Sequence, residues 1–122
     1  MAHTNNYSEP QFYVDGKSLL KEGGSYIRNF TVDDKHVYGH SLLKLFEETI
    51  VAFKLSYRET SPILKRKYAE DARLALDKAE IKLDLIRDIG ILPLKQHMVL
   101  FQHLGCISEQ LNKWLNSLEK KS

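Results

Sequence analysis

One cysteine, three prolines and six glycines in 122 residues are each a shortage that narrows what the chain can be. Cys106 alone forms no internal disulfide and has no CxxC neighbour to hold zinc, which points to a reduced, intracellular setting without a structural metal. So little proline and glycine suits a helical protein with few loops. No apolar run approaches the roughly eighteen residues of a membrane span, and Met1 to Gln11 are polar, without a basic stretch followed by an apolar one. The expectation is a soluble, cytoplasmic protein. Also missing are a GxGxxG or phosphate-loop pattern, a Gly-x-Ser-x-Gly elbow, an HExxH and any pair of Glu-x-x-His motifs, so nucleotide-dependent, nucleophilic and di-iron chemistry have no sequence support. We expect no catalytic residue, no metal and no cofactor. Charge is lacking too: 18 basic against 16 acidic residues leave +2, which does not by itself indicate nucleic acid.

What the chain does have is helical periodicity. Apolar residues make up 43%, enough for one core at this length, so a single domain is expected over residues 9–122 behind a flexible segment, 1–8. A first helix over about 9–29 rests on Tyr13, Leu20 and Ile27, with Leu19 and Tyr26 beside them. Gly16, Gly23 and Gly24 interrupt it, so either the helix starts late or the glycines let another helix approach closely. Thr31 or Asp33 can cap a second helix over about 34–59, whose core stripe is Leu43, Phe46, Ile50, Phe53 and Tyr57, widened by Leu42, Leu45, Thr49 and Ala52. Ser61 and Pro62 restart the pattern as N-cap and first helical residue of a third helix, 62–89, and Gly90 suits a left-handed end. The fourth, about 94–118, carries Leu100, Leu104, Ile107, Leu111, Trp114 and Leu118 at spacings of four and three. Short connections make the expected fold all-α, an antiparallel up-down-up-down four-helix bundle.

The third helix has one stripe more than a bundle needs. Tyr68, Ala72, Ala75, Leu76, Ala79, Leu83 and Ile86 share a core face, while Leu74, Ile81 and Leu85 project from nearly the opposite side. We read that second stripe as a seat for another chain, with Val99 and Cys106 on the fourth helix as further interface candidates. Scattered exposed aliphatics on a monomer are the plainer alternative.

Two patterns carry candidate chemistry. His36 and His40 have the i, i+4 spacing of metal-ligating imidazoles, but the nearest approach to a carboxylate motif is Asp33 with His36, so a capping or surface role is the stronger reading. His97 and His103, which flank the stripe of the fourth helix, are read the same way. Cys106, away from any base, is expected to pack. Phosphate contact is assigned to Lys65, Arg66, Lys67, Arg73, Lys78, Lys82 and Arg87, although residues 61–92 hold seven basic and six acidic side chains and a solvated face laced with i, i+4 pairs is the alternative. Copies of a modest patch repeated around a ring would sum to a stronger field.

The stretch Arg66 to Leu76 (RKYAEDARLAL), Leu83 to Leu92 (LDLIRDIGIL), Lys95-Gln96, and Ile107 through Leu111 to Trp114-Leu115 resembles the accessory variability determinant (Avd) family of diversity-generating retroelements. The likeness spans roughly residues 37–118. It implies a homopentameric barrel of four-helix bundles that binds the element's reverse transcriptase and nucleic acid, RNA or DNA, and assists copying of template RNA into mutated cDNA. The resemblance supplies no catalytic motif. Better-known members are strongly basic where this chain is near neutral, which shifts weight towards the polymerase as main contact. Bundle proteins encoded in intervening sequences of 23S ribosomal RNA genes look similar over the first two helices, and imply instead a structural or ribosome-associated role.

Overall fold

A computed structural model of the chain describes residues 9–121; the segment expected to be flexible, residues 1–8, lies outside them. Four helices account for nearly all of the described chain, and no strand occurs among the described residues. They are α1 (Gln11–Ile27), α2, α3 (Pro62–Asp88) and α4 (Leu94–Lys121). The second, α2, is built from three consecutive pieces: Val32–Asp34, a π-helical turn Lys35–Gly39, and His40–Arg58. α1 packs on α2 and α4, and α3 packs on the same two helices, so the four surround one core.

The ends follow from local chemistry. Thr31, one of the two expected caps, accepts a hydrogen bond from the Asp34 amide, and α2 begins at Val32, two residues before the expected start. Ser61 does the same for the Leu64 amide ahead of Pro62 in α3. Gly90, at φ 84°, ends α3 in the left-handed conformation, and the Ile91 and Leu92 amides turn back to the Ile86 carbonyl at 3.0 and 3.1 Å. The fourth helix runs three residues beyond the expected end, to Lys121.

The core stripes of α3 and α4 are those the periodicity indicates: Ala72, Ala75, Leu76, Ala79, Leu83 and Ile86 are buried, as are Leu100, Leu104, Ile107, Leu111 and Leu118. Tyr68 and Trp114 are half-buried. The stripes of the first two helices are rotated from expectation. On α1 the buried residues are Phe12, Gly16, Leu19, Gly23 and Ile27, while Tyr13, Leu20 and Tyr26 lie at its edges. Glycine, which reads as a gap in a hydrophobic pattern, is here the core-facing residue. A Cβ on Gly16 would stand 2.6 Å from Ile50 Cγ1, and one on Gly23 would stand 3.1 Å from the Phe46 ring. Close approach of α2, and not a late start, is therefore what Gly16 and Gly23 serve, while a Cβ on Gly24 would meet nothing within 4 Å. On α2 the centre of the stripe is Leu42, Phe46, Thr49, Ile50, Phe53 and Ser56. The hydroxyls of Thr49 and Ser56 donate to the Leu45 and Lys65 carbonyls at 2.8 and 2.6 Å, so the buried oxygens are satisfied. Tyr57, expected in the core, is 49% exposed because α2 ends beside it.

Candidate nucleic-acid and partner interface

The seven cations expected to meet phosphate do not share one environment. Lys65 turns inward: its ammonium donates to the Ser56 and Tyr57 carbonyls at 3.0 and 3.4 Å and lies 5.1 Å from the centre of the Trp114 ring. It thereby satisfies carbonyls left open at the end of α2 and offsets the negative pole of that helix. Arg73 clamps α3 to α4. Its guanidinium donates to Ser108 Oγ at 3.0 Å and Asn112 Oδ1 at 2.8 Å, and two more N–H groups reach Asp77 Oδ1 at 3.2 and 2.9 Å. Arg87 is held by Asp88 at 2.9 Å and lies 3.8 Å from Asp84. Arg66 lies 3.9 Å from Glu119. Lys67 makes a long i, i+4 contact with Asp71, 3.5 Å, while remaining largely exposed. Lys78 is exposed and Lys82 half-buried, and neither forms an ion pair among the described residues. Three lysines, Lys67, Lys78 and Lys82, thus keep the most charge for an external ligand. Their spacing of eleven and four puts them on one flank of α3.

That flank borders a groove of about 420 Å³ between α2 and α3. Its apolar lining is Val51, Ala52, Leu55, Tyr68, Leu74 and Ala75, and Glu47, Glu48 and Asp71 stand around it with Lys78. Leu74, Ile81 and Leu85 are 56%, 71% and 45% exposed, so the second stripe of α3 does face solvent. Val51 and Leu55 extend it across the groove, which sequence reasoning missed by reading α2 for its core face alone. Val99 and Cys106 are elsewhere. Each sits one helical turn before a residue that bonds α1, His103 with Glu22 and Gln110 with Asp15, so they lie on the α1 side of α4. Cys106, expected to pack, is exposed.

The other flank of α3 is a polar seam with α4. His97 is nearly enclosed there at 5% exposure, against the expected surface role: its Nε2 is 2.9 Å from Asp84 Oδ1, and its ring stacks on Phe101. Glu80 sits in the same neighbourhood, and burial, reinforced by Asp77 and Asp84 and opposed by Arg73, pushes its carboxyl above the ordinary carboxylate range. His36 and His40 meet edge to face, 5.5 Å apart. Among the described residues no group of three or more His, Cys, Asp or Glu side chains converges on a metal position, and no helix is long and apolar enough to cross a membrane. Neither a protein-family model nor a curated protein matches the chain. The functional reading therefore rests on the sequence and on this geometry.

Proposed function

We propose that this chain is a non-enzymatic accessory protein of a diversity-generating retroelement: a cytoplasmic homopentamer of antiparallel up-down-up-down bundles that binds reverse transcriptase and template RNA or cDNA and supports mutagenic copying. The observation that carries the reading is the solvent-facing stripe Leu74, Ile81 and Leu85, joined by Val51 and Leu55. Contiguous apolar surface of this kind marks an interaction site more often than a monomer's ordinary surface. Val99 and Cys106 occupy a different flank, and two dissimilar patches are what head-to-tail association into a closed ring uses. Antiparallel neighbours are supported by pairings that run in opposite order, Phe12 with Phe53 and Gly16 with Ile50 between α1 and α2, and Arg66 with Glu119 and Asp84 with His97 between α3 and α4.

The mechanism is electrostatic holding. Lys67, Lys78 and Lys82, repeated around the ring, attract phosphate without reading bases, and the acids beside them keep one subunit's affinity low so that the assembly is needed. Native mass spectrometry tests the ring: a five-subunit mass is expected for the native chain and a monomer for Leu85→Glu with helicity retained. A monomeric native chain, or a variant that stays assembled, overturns the interface. Charge reversal of Lys67, Lys78 and Lys82 to glutamate is expected to weaken RNA binding at least tenfold, each lost phosphate contact lowering the slope of log affinity against log salt by about 0.7–0.9. Unchanged affinity removes these lysines from the site.

A further inference from the structure

At the end of the bundle where α1 begins and α2 ends, the half-exposed ring of Tyr57 packs against buried Phe12 and half-buried Trp114. Tyr57 stands between Phe12, 5.7 Å away edge to face, and Trp114, 5.5 Å away and tilted by 39°. Two clefts open on either side of it, about 490 Å³ towards Trp114 and Lys113, and about 200 Å³ towards Lys54 and Arg58. Tyr57 and Phe12 line both clefts, so the half-exposed tyrosine ring is the wall they share.

The platform is fixed before any ligand arrives. Trp114 Nε1 donates to Ser56 Oγ at 2.8 Å, Ser56 Oγ donates to the Lys65 carbonyl at 2.6 Å, and the Lys65 ammonium lies over the indole. A ring held in this way needs no ordering on binding, which removes one of the usual costs of association.

Charge selects the ligand. Lys113 is the charged residue lining the wider cleft, and in the narrower one Lys54 and Arg58 outnumber Glu9, which is itself paired with Lys17 at 2.7 Å. The groove between α2 and α3 has the opposite sign, with Glu47, Glu48 and Asp71 against Lys78. A half-exposed aromatic ring at the wall of two clefts, flanked by cations, suits an unpaired nucleobase, whose ring stacks while the adjoining phosphates meet lysine and arginine. A duplex keeps its bases stacked on one another and has no free face to offer.

From this arrangement we infer that the Tyr57–Trp114 end is a stacking site for single-stranded nucleic acid, separate from the lysines of α3. It rests on the preceding functional reading only for the class of polymer, and the two fail separately. Trp114 is the sole tryptophan, so its fluorescence reports this site directly.

The test titrates the full-length protein with a uridine oligomer and with an RNA duplex of equal length, following Trp114 fluorescence and, in parallel, the anisotropy of labelled RNA. The oligomer is expected to quench Trp114 and the duplex to leave it unchanged. Tyr57→Ala is expected to raise the quenching midpoint about tenfold and Tyr57→Phe to preserve it, with circular dichroism showing both variants folded. An oligomer that binds without quenching overturns the site, as does one that neither binds nor quenches. Equal quenching by the duplex, or quenching by a proline-rich peptide where the oligomer has no effect, also overturns it. Quenching that survives charge reversal of Lys67, Lys78 and Lys82 while overall affinity is unchanged removes the α3 lysines and leaves the stacking site standing.

Discussion

The two flanks of α3 are made from one helix and have opposite characters. Towards α4 its polar side chains are used up inside the molecule: Arg73 bonds Ser108 and Asn112, Asp84 bonds His97, and Arg66 approaches Glu119. Towards α2 the groove is lined by Ala75 and Leu74, and the larger apolar side chains Leu74, Ile81 and Leu85 are left exposed. A saturated seam fixes how α3 sits on its neighbour. An unsaturated one leaves apolar surface facing solvent. The residue types alone do not separate these cases, since both flanks contain arginine or lysine, aspartate and aliphatic side chains; the partners do.

The comparison is broken most forcefully at its polar side. Arg73→Ala removes four hydrogen bonds and leaves Ser108 and Asn112 without their guanidinium, so a loss of about 1–3 kcal/mol in chemical unfolding is expected. Leu74→Ser, one position along the helix, is expected to leave the stability of the isolated subunit within about 0.5 kcal/mol of the native chain while weakening self-association. Equal destabilisation by the two substitutions would show that the flanks do not differ as described.

The smallest effect sharpens the seam itself. Because the Glu80 carboxyl is raised above its ordinary range in the folded chain, the folded state holds that proton more tightly than the unfolded one. Its contribution is therefore most favourable at acid pH, below the unfolded value, and is lost as pH rises through the raised folded value. Glu80→Gln is expected to be slightly more stable than the native chain at neutral pH and to lose that falling segment from a plot of stability against pH. A plot of unchanged shape would mean that Glu80 is not the group responsible.

Much of the fold is legible in the sequence because α3 and α4 obey a single period. Leu100 to Leu118 repeat without interruption on α4, and Ser61, Pro62 and Gly90 mark the ends of α3 through local chemistry that needs no tertiary partner. The first two helices are less legible for a physical reason: Gly16 and Gly23 lie on the buried face and carry no hydrophobic signal, since what they contribute is the absence of a side chain. Gly39, at the end of the π-helical turn Lys35–Gly39, is a further case: a Cβ there would stand 2.6 Å from Ile27 Cγ2. In the candidate site, the exposure of Leu74, Ile81 and Leu85 could be read from angle alone. Which cations are already occupied could not, because Ser108 and Asn112 are 35 and 39 residues from Arg73 and the α2 carbonyls that hold Lys65 lie across a turn. Tyr57 follows a core period faithfully yet stands where α2 ends, and period carries no information about depth along a bundle.

The bond from Trp114 to Ser56 spans 58 residues of sequence, and the Ser56 hydroxyl continues it to the carbonyl of Lys65. One indole thus ties the last third of α4 to the turn that joins α2 and α3. Opening that turn breaks the anchorage of the carboxyl-terminal helix, and peeling that helix away unseats the turn. Fraying from the end of α4 is therefore expected to stop at Trp114, and hydrogen exchange is expected to show the amides near Ser56, Lys65 and Trp114 opening together.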